Sequence, residues 1–278
     1  MPLVNRSNTP PVRDLDDLLT RLRLGARAVL VSVARTEGST PRETGAWMAV
    51  LADEIIGTVG GGQLEWQAMQ HARRMLAGEG GAARQRYPLG PRLGQCCGGV
   101  VYLAFEGLDG VPQAALRARL AAPLRQLAVF GAGHVGQALM RLAGDLPLAL
   151  TWIDSREAPR PPLAGAHVRC EHSDPAPAAV RELPAGAHVL VMTHSHAEDL
   201  EIIAACLQRQ RTAGDLGQIG LIGSRSKWAA FRTRLLARGL DEHDLRRVTC
   251  PVGVPGIQGK QPAVVALAAL AQVMQAAG

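Results

Sequence analysis

Aromatic side chains are scarce in this chain: Phe, Tyr and Trp together make up 3% of its 278 residues. The interior must therefore be built from Ala, Val and Leu, which suits helices packed closely on a parallel sheet. Long apolar runs are missing too. A membrane-spanning helix takes about 20 consecutive apolar residues, and the Ala/Val/Leu-rich stretch at 263–274 is too short for that. Residues 1–17 carry Pro and Asp with no apolar core, so they do not read as a secretory signal. Charge of one sign is not concentrated: 30 Lys and Arg stand against 24 Asp and Glu, a net +6 that is mostly arginine and scattered along the chain. Such a pattern argues against a nucleic-acid partner and fits an anionic small ligand or an acidic protein. The five cysteines are odd in number and match no zinc-finger spacing. Free thiols in a reducing compartment follow, not a disulfide framework. The expectation is a soluble, cytoplasmic protein with no membrane partner.

What is present is a large apolar fraction, 47%, in a length that accommodates two domains. Residues 1–13, with three prolines, read as a disordered lead-in. Leu15, Leu18, Leu19 and Leu22 share one helix face, with Asp14 as candidate N-cap. Apolar runs at 28–34, 46–51, 55–59 and 98–105 predict strands, and 63–76 predicts a helix. Strands joined by short turns make residues 14–108 a small α+β domain. Residues 109–125 form a linker with a bridging helix over Gln113–Leu120. From 126 to 278 strands and helices alternate, with strands expected at 127–130, 148–153, 167–170, 188–193 and 219–222. The fold class is α/β, with a C-terminal Rossmann-like doubly wound parallel sheet after the smaller domain.

The chemistry centres on Gly131-Ala132-Gly133-His134-Val135-Gly136. A strand precedes this G-x-G-x-x-G and a helix follows it. Gly131 serves a tight turn, Gly133 the close approach of a phosphate, and Gly136 helix–sheet contact. The helix N-terminus adds unpaired N–H groups and its positive dipole end. Asp154 lies 23 positions beyond Gly131, where an acidic residue can accept from a ribose hydroxyl, and Arg156 can meet a further anion. An NAD(P)-dependent oxidoreductase is one reading, with His194 or Lys227 as acid/base nominee. Another phosphate-bearing ligand is a second, and glycines kept for packing alone a third.

Other segments carry candidate chemistry. His194 and His196 end a predicted strand, on the edge where ligands bind in open α/β sheets. Their spacing is similar to the H-x-H-x-D-H motif of metallo-β-lactamase-type zinc hydrolases, but Glu198 and Asp199 replace its Asp and third His. Capping of the next helix is the alternative. Cys96-Cys97, framed by glycines, suits metal binding, persulfide handling or redox sensing, or else simple packing. Arg42 can clamp a phosphate or carboxylate. Gly60-Gly61-Gly62-Gln63 opens onto a helix, a second anion site in principle.

These segments together resemble the XdhC/CoxI family. The matching residues are Gly38-Ser39-Thr40-Pro41-Arg42 with Gly45-Ala46, Gly60-Gly61-Gly62 with Leu64-Glu65, and Leu89-Gly90-Pro91 leading to Gln95-Cys96-Cys97-Gly98-Gly99. Then come the 130–136 turn, Thr193-His194-Ser195-His196 with Asp199, Ile219-Gly220-Leu221-Ile222-Gly223-Ser224 with Lys227, and Pro251-Val252-Gly253 with Gly259-Lys260-Gln261-Pro262. Val252 stands where isoleucine is more usual. The doubled cysteine and the Gly-Lys-x-Pro segment point to the XdhC branch. The resemblance implies a chaperone with no catalytic residues of its own. Such a protein binds the molybdenum cofactor, in its molybdopterin form, keeps it from oxidation while a cysteine desulfurase adds the terminal sulfur, and delivers it to apo-xanthine dehydrogenase. The cofactor's biosynthesis enzymes would be further partners, and a homo-oligomer stays open. The candidate contacts are Cys96 and Cys97 toward the metal, then Gly131, Gly133, His134, Gly136, Asp154, Arg42, Gln63, His194 and Lys260.

Overall fold

The computed structural model describes residues 12–90, 98–121, 123–157 and 167–276. The chain divides into two compact units, the first ending at Pro123 and the second starting at Leu124. Of the lead-in expected over residues 1–13, positions 1–11 lie outside the described residues, as does the Cys96-Cys97 pair, while Val12 and Arg13 already belong to the first helix.

The first unit holds α1 (Val12–Arg23), β1 (Val29–Glu37), β2 (Trp47–Val50), β3 (Ile55–Gly57), α2 (Gly62–Leu76), β4 (Arg84–Pro88), β5 (Val100–Gly107) and α3 (Gln113–Leu120). Its sheet is antiparallel, in the order β3-β2-β1-β5-β4. Alternation along the strands sorts side chains to two covered faces. Val29, Val31, Val33, Met48 and Val50 pack with Leu64, Ala68 and Ala72 of α2. Leu30, Trp47 and Ala49 pack with Leu15, Leu18 and Leu19 of α1 and Leu116 and Leu120 of α3. With both faces covered, β2 is buried at all four positions, which explains its unbroken apolar run. Asp14 sits in the first turn of α1, inside the helix instead of ahead of it. Strand β4 has no counterpart in the hydrophobic pattern, because Arg84, Gln85 and Arg86 are exposed on the sheet edge. Charged residues there oppose edge-to-edge pairing, so the periodicity signal is absent for a physical reason.

The second unit contains β6 (Arg125–Phe130), α4 (His134–Ala143), β7 (Leu148–Asp154), β8 (Val168–His172), a 3₁₀ turn (Ala176–Glu182), β9 (His188–Val191), α5 (His196–Thr212), β10 (Ile219–Leu221), α6 (Arg225–Ala237), α7 (Glu242–Leu245), β11 (Val248–Thr249) and α8 (Pro262–Gln275). The sheet is parallel, in the order β11-β10-β9-β6-β7-β8. It is a Rossmann-like doubly wound sheet. Leu127 and Val129 meet α4 and α8 through Leu139, Ala266 and Leu270. Ala128 and Phe130 meet α5 and α6 through Ile203, Leu207, Phe231 and Leu235. Burial on both faces again makes the strand a continuous apolar run.

His188 opens β9 almost fully buried. Its Nδ1 accepts the Gln218 N–H at 3.1 Å, which fixes the neutral ring with its proton on Nε2. Burial, then the nearby Arg125 charge, push its pKa down. The folded state resists taking up this proton, so the unfolded state binds more protons below its ordinary value of about 6.5. Stability is therefore expected to fall as pH drops from 7 toward 5. Denaturant unfolding across that range should show the loss, and His188→Asn, which keeps an acceptor without the titration, should flatten it. An unchanged slope in that variant would assign the dependence to other groups.

Candidate functional site

Strand β6 lies between β7 and β9, and the chain leaves toward opposite edges from this point. The carboxyl ends of β6 and β9 flank this switch point, which is the ligand-binding edge in open α/β sheets. The 131–136 turn lies on one side of it. Gly131 has φ +114°, and a Cβ there would collide with the Met192 carbonyl and lie 2.9 Å from Thr193 Cα. Its N–H donates to the Ile153 carbonyl at 2.8 Å, and its own carbonyl accepts the Trp152 indole N–H at 3.0 Å. A Cβ on Gly136 would run into the same Gly131 carbonyl. Packing thus demands glycine at 131 and 136.

Gly133 is different. Its φ is −74°, a value any residue adopts, and a Cβ there would meet nothing within 4 Å. It is the exposed N-cap of α4, and no side chain caps that helix end. The fold leaves an open backbone at a positive helix terminus, which is the requirement for close approach of a phosphate. His134, the first residue of α4, is exposed beside it.

Asp154 ends β7 with its carboxylate turned into the turn. Oδ2 accepts the Ala132 N–H at 2.6 Å and Arg156 Nη2 at 3.0 Å, while Oδ1 accepts the Arg156 N–H and Nε, both at 2.9 Å. Burial works to raise its pKa, but the hydrogen bonds from Arg156 and the two backbone amides outweigh it and hold the group at about 2. The carboxylate that the spacing marked as a ribose acceptor thus accepts from Ala132 and Arg156 of its own chain. Trp152, which no sequence signal marked, braces the turn from the same strand.

The other side follows β9. That strand ends at Val191, so His194 and His196 do not share it; both are exposed, Ser195 is the N-cap of α5, and His196 is the first helical residue. Asp199, fully buried, accepts the Thr193 N–H at 3.0 Å and the Thr193 hydroxyl at 2.8 Å on Oδ1. Its Oδ2 accepts Lys227 Nζ at 2.5 Å, and that ammonium also donates to the Ile222 carbonyl at 2.9 Å. Among the described residues, no group of three His, Cys, Asp or Glu side chains is arranged to hold a metal ion. Cys206 is a core residue whose thiol is pushed up to about 12 by burial. Cys250 lies near Lys227, and burial raises its thiol too.

In the first unit, Pro41 packs against Gly60, and the aliphatic stem of Arg42 lies alongside. Arg42 is half-buried, and its Nε is buried without a hydrogen-bond partner. The 60–62 turn has positive φ at all three glycines. It is held by Glu65, whose Oε2 accepts the Thr58 hydroxyl at 2.5 Å, the Val59 N–H at 3.1 Å and the Gly61 N–H at 3.2 Å. A carboxylate of the chain itself thus engages this turn, and Gln63 is exposed. A glutamate one turn into a helix that opens on glycines was the available signal. Gly99 packs on the Glu37 and Ser39 carbonyls. Lys260 is exposed in the segment between β11 and α8. No described helix is long and apolar enough to cross a membrane.

Comparison with known proteins agrees with this architecture. The model of the XdhC Rossmann domain matches residues 127–273, more than half of the chain, and that of the XdhC and CoxI family matches residues 22–88. The uncharacterized protein YqeB of Escherichia coli K12 is 28% identical over 257 residues, covering 88% of this chain and 43% of that protein. The chain thus spans less than half the length of this curated relative. A crystal structure described as a xanthine dehydrogenase from Bacillus halodurans shares the fold with a TM-score of 0.73 at 20% identity, over 94% of this chain and 95% of that one. Two family models matching in order, over a fold with the glycine turn at its switch point, establish that the chain belongs to the XdhC/CoxI family.

Proposed function

We propose that this chain carries the molybdenum cofactor in the cytoplasm, protects it while a cysteine desulfurase supplies its terminal sulfur, and delivers it to apo-xanthine dehydrogenase. The observation that carries the reading is Gly133: packing explains Gly131 and Gly136, whereas Gly133 has open space and ordinary φ at a helix start that no side chain caps, which leaves room for a phosphate to approach. Family membership supports a maturation role. The terminal phosphate of molybdopterin suits the 131–136 turn and the amides of α4. The dithiolene and molybdenum are the end that needs protection, and Cys96 and Cys97 are the thiols proposed to meet it. The engaged carboxylate of Asp154 weighs against a dinucleotide, whose ribose would need that acceptor.

The test is to purify the protein from cells that make the cofactor and to assay released pterin and molybdenum, then activation of apo-xanthine dehydrogenase. Both components should co-purify. Cys96→Ala or Cys97→Ala should lower cofactor retention or sulfuration without unfolding the chain. Absence of pterin and molybdenum, with activation that does not need this protein, would sink the proposal. Saturable binding of NAD or NADP in their place would replace it with an oxidoreductase.

A further inference from the structure

Helix α8 carries no charged residue, and Gln272 and Gln275 are its only polar ones. A helix that is apolar all round belongs in an interior, yet this chain covers α8 on one side. There Ala266, Ala269, Leu270 and Val273 pack with Leu127, Val129 and Leu139. Gln272 is engaged as well, its Oε1 accepting the Gly253 N–H at 2.5 Å. The opposite side holds Val264, Leu267, Ala271 and Met274. Leu267 is 51% exposed, more than any other large apolar side chain among the described residues of the second unit, and the other three are half-buried. Helix α4 shares the same core cluster and leaves Leu142 42% exposed.

Val264, Leu267, Ala271 and Met274 follow one another at intervals of three, four and three positions. That is the a/d spacing of a coiled-coil seam, placed on the face turned away from the core. The seam is complementary to itself. About a two-fold axis level with Ala269, Leu267 falls opposite the partner's Ala271, and Val264 falls opposite the partner's Met274. Each layer then sets a larger side chain against a smaller one, as interdigitating packing requires. A parallel pairing would set Leu on Leu and Ala on Ala, and would align the two helix dipoles. The antiparallel one lays the positive N-terminal end of each α8 beside the negative C-terminal end of the other. It also brings the position of Lys260, just ahead of the helix, level with that negative end. The chain carries a net charge of +6, so two copies repel one another in general, and an uncharged face is where they approach at least cost.

We propose that this face is the contact of a homodimer, with α8 packed antiparallel on the α8 of a second copy. The interface is isologous, each copy presenting the same seam. A standard interface takes about 800 Å² from each partner. One side of a helix about 21 Å long supplies only part of that, so Leu142 of α4 is drawn in at the rim and the dimer is of micromolar strength. This inference goes beyond the cofactor reading and does not rest on it.

The test is sedimentation velocity of the full chain from about 1 to 500 µM, a span centred on micromolar affinity. The wild-type chain should pass from monomer to dimer across it. Leu267→Glu puts a carboxylate into both layers of the seam and should raise the dissociation constant by at least about hundredfold. Leu267→Gln, the milder variant, should raise it by about tenfold. The exposure of Leu267 lets both variants fold, and equal thermal midpoints in dilute solution check that. Orientation is read by mixing Leu267→Cys with Ala271→Cys chains under a mild oxidant and mapping the linked peptides by mass spectrometry. The mixture should join position 267 to position 271, and neither variant should link to itself at the new site. A wild-type chain that stays monomeric throughout overturns the proposal and leaves the face to a different protein. A dimer indifferent to both Leu267 replacements overturns it too, as does a Leu267→Cys chain that links to its own copy at that position.

Discussion

Replacing Lys227 with Met is expected to lower the unfolding free energy of the second unit by about 3–5 kcal/mol, the usual cost of breaking a buried ion pair from one side. Asp199 is fully buried, so losing its ammonium leaves a carboxylate with only the Thr193 donors for company. Met has nearly the length of the lysine stem, and the packing loss is small by comparison. Domain stabilities are typically about 5–15 kcal/mol, so the variant should be close to the limit of folding at body temperature. Amide exchange of the β9 residues, read against denaturant, isolates this unit from the rest of the chain. Adding Asp199→Leu should recover most of the loss. A single variant within about 1 kcal/mol of wild type would mean that water reaches the carboxylate, contrary to its burial.

The second large effect separates fold from function within one turn. Gly136→Ala drives a Cβ into the Gly131 carbonyl, the group that also accepts the Trp152 indole. Backbone cannot give way as a flexible side chain would, so a loss of about 1–3 kcal/mol or more is expected, as for overpacking in a filled core. Gly133→Ala should behave in the opposite way. Its Cβ meets nothing and its φ is ordinary, so stability should hold or rise by about 0.4–1 kcal/mol as the unfolded chain loses freedom. If the proposed function holds, the methyl stands where the cofactor's phosphate would approach, and cofactor retention should fall by at least about tenfold, the loss of one charge-assisted hydrogen bond to the ligand. Thermal unfolding and pterin content measured on both variants check this. Wild-type cofactor content in Gly133→Ala would leave the turn without a role in binding.

The legible features and the hidden ones divide along a physical line. The 131–136 turn, the helices that follow β6, β9 and β10, and the buried strand of residues 127–130 could be read because each depends on neighbouring positions: glycines at fixed spacing, or apolar residues in a short run. Strand β4 escaped because its exposed edge carries Arg and Gln where an inner strand would carry Val. The roles of the acidic residues escaped for another reason. Spacing alone marked Asp154 as a ribose acceptor, whereas the direction of its carboxylate depends on Arg156 and on Ala132, 22 residues away. Glu65 likewise brings the chain's own carboxylate to the turn that spacing marked as a possible anion site.

By itself, then, the sequence determined that this protein has a Rossmann-type half with a glycine turn at a helix start, and that its family is XdhC/CoxI, since both follow from local order along the chain. Only the tertiary structure decided which glycine is free to meet a ligand. It also decided that Asp154 serves the turn, and that Asp199 and Lys227, 28 residues apart, join under the 193–195 turn. Those outcomes depend on contacts between residues that folding alone brings together, where burial makes each unpaired charge costly and so dictates its partner.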